Sequence, residues 1–161
     1  MKRLYAPWRM SYINSDEYTD CIFCNFPKEN NDKKRLIISR SQYSYIMLNA
    51  YPYNSGHLMV APYRHLANYE DLNIDELVDI HTTVQNVISI MKEIFAPQGF
   101  NVGLNLGKTA GAGFDGHLHV HIVPRWNGDT NFMPVLNDVR VVPQALDETY
   151  RIFKEKFSKN E

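Results

Sequence analysis

Gly116-His117-Leu118-His119-Val120-His121-Ile122-Val123-Pro124-Arg125 is the stretch on which the reading of this chain turns. It holds three of the six histidines, at alternate positions in an apolar run. A period of two predicts a β-strand over His117–Val123. Alternate side chains of a strand share a face. Three imidazoles therefore line one side, while Leu118, Val120 and Ile122 pack into the core on the other. Each ring brings two nitrogens that need partners, so a row of them is costly to place by accident.

The rest of the chain bounds what such a row can do. Its 161 residues suit one domain, or one domain with a tail, and 44% hydrophobic residues support a real core. A net charge of −1 leaves no general basic surface, so nucleic acid is not expected as a partner. The first residues, Met1-Lys2-Arg3-Leu4-Tyr5-Ala6-Pro7-Trp8, lack the apolar core of a signal peptide, and no apolar run approaches the ~20 residues that span a bilayer. The expectation is a cytoplasmic protein without a membrane partner.

Five further runs read as strands: Leu36–Ser39, Ser44–Asn49, His57–Ala61, Asn101–Leu106 and Val139–Val142. A long helix is predicted from Asn73, which can cap, with Glu76 three residues on as in a capping box. Leu77, Ile80, Val84, Val87, Ile88, Met91, Ile94 and Phe95 follow at helical spacing until Pro97 and Gly99 stop it. A second helix is expected over Gln144–Phe157, and the polar stretch Pro27–Lys34 reads as a loop. Mostly short links favour an antiparallel sheet with helices on one face, an α+β domain. The division expected is an arm over residues 1–34 and a domain over residues 35–161.

Three readings compete for the histidine run. A single zinc ion held by all three is geometrically poor. Residues two apart on a strand lie ~6.6 Å apart and those four apart ~13 Å, whereas Zn–N bonds are ~2.0–2.1 Å. Unconnected surface or core histidines are the bland reading. Phosphoryl chemistry is the third: a neutral imidazole is a nucleophile near pH 7, and neighbouring imidazoles can steady phosphate oxygens or the leaving group. The approach Gly107-Lys108-Thr109-Ala110-Gly111-Ala112-Gly113 offers backbone N–H groups to phosphate, although Lys108 precedes the glycines and no P-loop is formed. Cys21-Ile22-Phe23-Cys24 has the spacing of half a zinc site or of a redox pair, or is simply two free thiols.

The run His117-Leu118-His119-Val120-His121-Ile122-Val123 resembles the signature of the histidine triad superfamily of nucleotide hydrolases and transferases in full. Leu48-Asn49-Ala50-Tyr51-Pro52-Tyr53-Asn54-Ser55-Gly56-His57 and Gly99-Phe100-Asn101-Val102-Gly103-Leu104-Asn105 resemble two further blocks of it. The flanks Leu4–Met10, Pro124-Arg125-Trp126, Asn131-Phe132 and Val141-Val142-Pro143-Gln144 are similar to its bacterial diadenosine tetraphosphate phosphorylase branch. One departure stands out. Gly113-Phe114-Asp115-Gly116 replaces the serine or glutamine frequent before the triad, leaving leaving-group help to backbone, His121 or Lys108.

The resemblance implies a fold of about five antiparallel strands with one long helix and a C-terminal helix, assembled as a homodimer. It implies attack by His119 on the α-phosphorus of a dinucleoside polyphosphate, giving a nucleotidyl-histidine that phosphate or water releases, with no metal needed for the covalent step. It implies that His121 and His57 flank the phosphate and that Asn49 holds ribose. Asn105, with Gly111, Gly113 and Lys108 of the loop, would meet phosphate. It further implies a structural zinc ion on Cys21, Cys24, His65 and His117. The competing expectation is a module that binds zinc and a purine nucleotide without turnover. Trp126, Arg125 and Phe132 could touch nucleotide or pack at the rim; Tyr51, Tyr53 and Phe23 could border the base or sit in the core.

Overall fold

Alternating apolar runs fold into a five-stranded antiparallel sheet in the computed structural model, which describes residues 21–129 and 145–159. The expected strand Val139–Val142, the first twenty residues, Phe132 and Gln144 lie outside the described residues. The strands are β1 (Ile37–Arg40), β2 (Ser44–Leu48), β3 (Leu58–Pro62), β4 (Gly99–Leu104) and β5 (Val120–Arg125), in the order β1-β2-β3-β5-β4. Two short helices, α1 (Ile22–Asn25) and α2 (Asp32–Arg35), precede β1. The stretch expected as a loop over Pro27–Lys34 thus carries a 3-10 turn at Phe26–Lys28 and then α2. The side chain of Asn31 caps α2 by accepting from the Lys34 N–H.

Helix α3 (Ile74–Phe95) begins on the expected capping box. The Asn73 side chain accepts from the Glu76 N–H at 2.9 Å, and the Glu76 carboxylate accepts from the Asn73 N–H at 3.0 Å. Its buried stripe and that of the last helix, α4 (Leu146–Ser158), cover one face of the sheet, meeting Ile38, Ile46, Leu48, Leu58, Val60, Val120 and Ile122. Phe153 of α4 is fully buried there, and removing such a side chain typically costs about 3–5 kcal/mol. The opposite face is also covered. Ile37, Tyr45, Met47, Met59 and Ala61 pack there with Phe23 of α1. Helices therefore do not account for all the burial; the segment before β1 seals part of the second face.

Register carries the functional consequence. Ile37 pairs with Met47, Met47 with Met59, Met59 with His121, and His121 with Gly103. Directly opposed residues share a face, so one row across the sheet ends in His121 beside Gly103. Among the described residues a Cβ at Gly103 would meet nothing within 4 Å, which leaves room on that side of the row.

The strand over the triad is shorter than the sequence pattern predicts. It starts at Val120, so His117 and His119 precede it and only His121 lies within it. The reason is in the partner strand. The β3–β5 pairing runs Leu58↔Ile122 and Val60↔Val120, and the next step in register would set Leu118 opposite Pro62. Proline has no N–H to give a ladder. Leu118 instead donates its N–H to the Leu66 carbonyl at 2.7 Å. Leu118 still enters the core and His117 and His119 still point away from it, so the side-chain alternation outlasts the strand.

Candidate active site and metal cluster

The loop between β2 and β3 brings Asn49 and His57 together. The Asn49 N–H donates to the His57 carbonyl at 3.0 Å, so the loop closes on itself at the sheet's end. The Asn49 side-chain oxygen accepts from the Tyr51 N–H at 2.9 Å, and its amide nitrogen lies 3.4 Å from His57 Nδ1. His57 is fully buried. Its Nδ1 accepts from the Tyr53 backbone N–H at 3.1 Å. A nitrogen that accepts carries no proton, so His57 is protonated on Nε2. That N–H donates to His121 Nδ1 at 2.9 Å. His121 must then carry its own proton on Nε2. One backbone amide thus sets the tautomer of two imidazoles in series.

His119 stands edge-on to His121, with ring centroids 4.8 Å apart. Its Nδ1–H donates to the carbonyl of His117 at 2.8 Å, because a carbonyl can only accept. The lone pair of His119 is therefore on Nε2. Burial holds this imidazole below its ordinary pKa, against the opposing effect of the His117 carbonyl, and keeps it neutral. Neutral, oriented and carrying its lone pair on a defined nitrogen, it has the requirements of a nucleophile.

His117 is oriented the other way round. Its Nε2–H donates to the Pro62 carbonyl at 2.9 Å, which leaves the lone pair on Nδ1. Burial pushes this ring down to about 4. Nδ1 lies 3.3 Å from the Cys21 sulfur and 3.5 Å from the Cys24 sulfur, and Cys24 lies 3.3 Å from His65 Nδ1. The four ligand atoms all fall within 4.8 Å of one another. A tetrahedral zinc ion with Zn–S of ~2.3 Å and Zn–N of ~2.0–2.1 Å needs S···N separations of about 3.5 Å. The donor set and its spacing fit. So does the surrounding shell, since metal-ligating histidines usually give their second N–H to a carbonyl or carboxylate. Cys21, Cys24, His65 and His117 could therefore hold a metal ion. Without a cation, burial pushes the Cys21 thiol up to about 11; coordination deprotonates such a thiol.

Of the residues singled out from sequence, direct contacts join His57, His119, His121 and Asn49 in one group and Cys21, Cys24, His65 and His117 in another. Asn105, Gly111, Gly113 and Lys108 lie on the β4–β5 connection that leads into His117. The Asn105 amide donates to the Gly111 carbonyl at 3.5 Å, bracing the loop, and Lys108 is exposed on a 3-10 turn. Gly107 and Gly111 take φ values of 80° and 91°, which side chains resist. Arg125 pairs with Asp129 and donates to Asn101, and the Trp126 indole donates to the Phe95 carbonyl, so both brace the rim. Tyr51 is exposed, while Phe23 is core. Three contributors escape inspection of the sequence: the Tyr53 N–H, the Pro62 carbonyl and the opening at Gly103. Two are backbone groups, which no residue type announces. Gly103 could be found only with the β4–β5 register in hand.

The chain belongs to the HIT domain family, whose model matches residues 30–128. Over 99% of its length it is 39% identical to a protein named AP-4-A phosphorylase from Mycobacterium tuberculosis (strain CDC 1551 / Oshkosh), covering 86% of that protein. Among solved structures it is similar to Plasmodium falciparum diadenosine triphosphate hydrolase in complex with cyclomarin A. The TM-score is 0.63, with 29% identity and 78% of each chain covered. The fold is also that of a zinc-bound histidine triad family protein from Mycobacterium smegmatis. There the TM-score is 0.70, with 22% identity, 88% of this chain and 95% of that one covered.

Proposed function

We propose that the protein cleaves dinucleoside polyphosphates of the diadenosine tetraphosphate type through a nucleotide carried covalently on His119. The observation that carries this is the His119 tautomer: Nδ1–H is committed to the His117 carbonyl, so the nucleophilic lone pair has one address, Nε2. Near-full-length identity of 39% with a protein named AP-4-A phosphorylase supports the substrate class.

In the first step His119 Nε2 bonds to the α-phosphorus, and the bond from that phosphorus to the bridging oxygen breaks. For diadenosine tetraphosphate the leaving group is ATP. In the second step an oxygen of phosphate or water attacks the same phosphorus and the P–N bond breaks, releasing ADP or AMP. His121 presents an Nε2–H to the phosphate or leaving oxygen, because its Nδ1 is occupied by the proton of His57. That donation stabilises charge where it develops, a contribution of roughly 10²–10⁴-fold for a well-placed donor. Asn49 holds ribose, and the backbone of the loop through Gly111 and Gly113, with Lys108 and Asn105, meets phosphate oxygens. The open space beside Gly103 admits the chain of phosphates to His121.

The second group of ligands holds zinc in a structural role, as its two sulfurs and two imidazoles suggest. When bound, the ion ties α1 to the segment before β5. Thiolate ligation of this kind fits a reducing cytoplasm. Among the described residues no helix is long and apolar enough to cross a membrane. The working unit is a homodimer. Its support is the sheet edge at β4, where Val102 is 46% exposed on a strand that pairs on one side only among the described residues.

The test is product analysis with diadenosine tetraphosphate in the presence and absence of phosphate. ADP plus ATP marks phosphorolysis, and AMP plus ATP marks hydrolysis. Mass spectrometry of the quenched reaction should find adenylyl on the protein at His119. No turnover under either condition would leave a nucleotide-binding module in place of an enzyme.

A further inference from the structure

We propose that Phe23 is a positioning residue for His119, held against the nucleophile's ring by the cysteine on either side of it. The inference rests on the reading of His119 as nucleophile. Phe23 is the only aromatic residue between Cys21 and Cys24, and it is 2% exposed. Its ring stacks on His119 with centroids 4.6 Å apart and planes 20° from parallel. The same ring lies 5.3 Å from that of His117, and Phe114 packs its edge against it at 5.8 Å. The buried Tyr45 hydroxyl donates to the Phe23 carbonyl at 2.9 Å, which fixes the backbone behind the ring.

Geometry gives the stack a job that the hydrogen bond cannot do. The bond from Nδ1–H to the His117 carbonyl places one nitrogen, but leaves the imidazole able to rock about that contact. The lone pair of Nε2 lies in the ring plane, so a rocking plane aims it away from the phosphorus. A flat partner at stacking distance sets the plane. Small misalignments of this kind can cost roughly 10²-fold in rate. What holds the partner is the ligand cluster. Helix α1 has four residues, too few to persist alone, and the sulfurs of Cys21, just before it, and of Cys24, within it, sit 3.3 and 3.5 Å from His117 Nδ1. The cluster thus reaches the nucleophile by two routes, the His117 carbonyl and the Phe23 ring. The metal-ligand segment and the reacting imidazole are one packed unit.

The test uses the full chain as purified, with metal per chain counted by elemental analysis. Phe23→Leu keeps apolar bulk for the core and removes the flat face; Phe23→Met does the same should the leucine variant fail to fold. With diadenosine tetraphosphate, kcat is expected to fall by roughly ten- to hundred-fold. KM and bound metal should stay near the parent's values. A second readout needs no turnover. The His119 ring proton on Cε1, assigned by its absence in His119→Ala, belongs to a ring stacked on Phe23 and should move downfield in Phe23→Leu as the ring current is lost. An unchanged kcat, an unmoved ring proton, or a rate loss that runs in step with lost metal would each overturn the proposal. A parent enzyme that never carries nucleotide on His119 defeats the functional reading instead, and the ring proton then still decides whether Phe23 sets that imidazole.

Discussion

His117 and His119 are two residues apart, both buried, both neutral, and used in opposite senses. His117 gives Nε2–H to the Pro62 carbonyl and turns Nδ1 to two sulfurs. His119 gives Nδ1–H to the His117 carbonyl and keeps its lone pair on Nε2. The amino acid is the same and so is the alternation that sets its face. The difference lies in which ring nitrogen finds the nearest carbonyl. An imidazole's job here is decided by its backbone surroundings, with the partner group following from that choice.

This contrast can be broken by exchanging the losses. His119→Ala should reduce turnover of diadenosine tetraphosphate by at least about 10³-fold, as expected for a removed nucleophile, and should leave bound metal and melting temperature near the parent's. His117→Ala should do the reverse. It removes one of the proposed ligands but not the backbone carbonyl that holds His119, so metal should be lost and Tm should fall by roughly 10 °C while part of the turnover survives. Rate assays, elemental analysis and thermal melts on both variants decide it. If the two variants lose metal and rate in the same proportions, the two sites are one site. Chelation of the parent should reproduce the His117→Ala melt, and equal zinc in Cys21→Ser and the parent would remove the proposed ligand set.

How much of this was legible in the sequence follows from the same contrast. The capping box at Asn73, the stripe of α3 and five of the six expected strands describe regular structure, where periodicity reports burial directly. The triad strand was overextended because alternation of side chains does not require a ladder, and Pro62 ends the ladder at Val120. The grouping of Cys21 and Cys24 with His65 and His117 came from resemblance, since spacing alone left redox and idle thiols open. Which backbone groups fix the tautomers lies beyond the sequence for a simpler reason. They depend on the Tyr53 amide and on the His117 and Pro62 carbonyls, and every residue other than proline has both groups.

A smaller effect separates His57 from the proposed nucleophile. His57→Ala removes the proton that His121 Nδ1 accepts, so the His121 proton is no longer confined to Nε2. Turnover should drop by about 10²-fold, within the range for one acid–base partner, with metal content unchanged. Nitrogen NMR of His121 supplies the sharper check: Nε2–H in the parent, a mixture of tautomers in the variant. A single Nε2–H form in both would dissolve the series from Tyr53 through His57 to His121.

The smallest expected effect concerns the outermost of the proposed ligands. His65 follows Arg64, whose guanidinium grips both oxygens of Glu76 at 2.7 and 2.6 Å and also donates to the Asp71 carbonyl. This grip ties the segment after β3 to the start of α3. The Arg64 guanidinium beside it holds the Glu76 carboxyl below its ordinary value of 4.5, with the Asn73 N–H assisting. As pH falls, the unfolded chain therefore takes up this proton before the folded one does. The stabilisation is complete above pH 4.5 and fades as pH drops through the lower folded value. Glu76→Gln should melt a few degrees below the parent at pH 7, and the gap should close on acidification below pH 4.5. A gap that is constant across that range would mean the carboxylate's charge contributes nothing, and that the capping geometry alone supports the His65 side of the cluster.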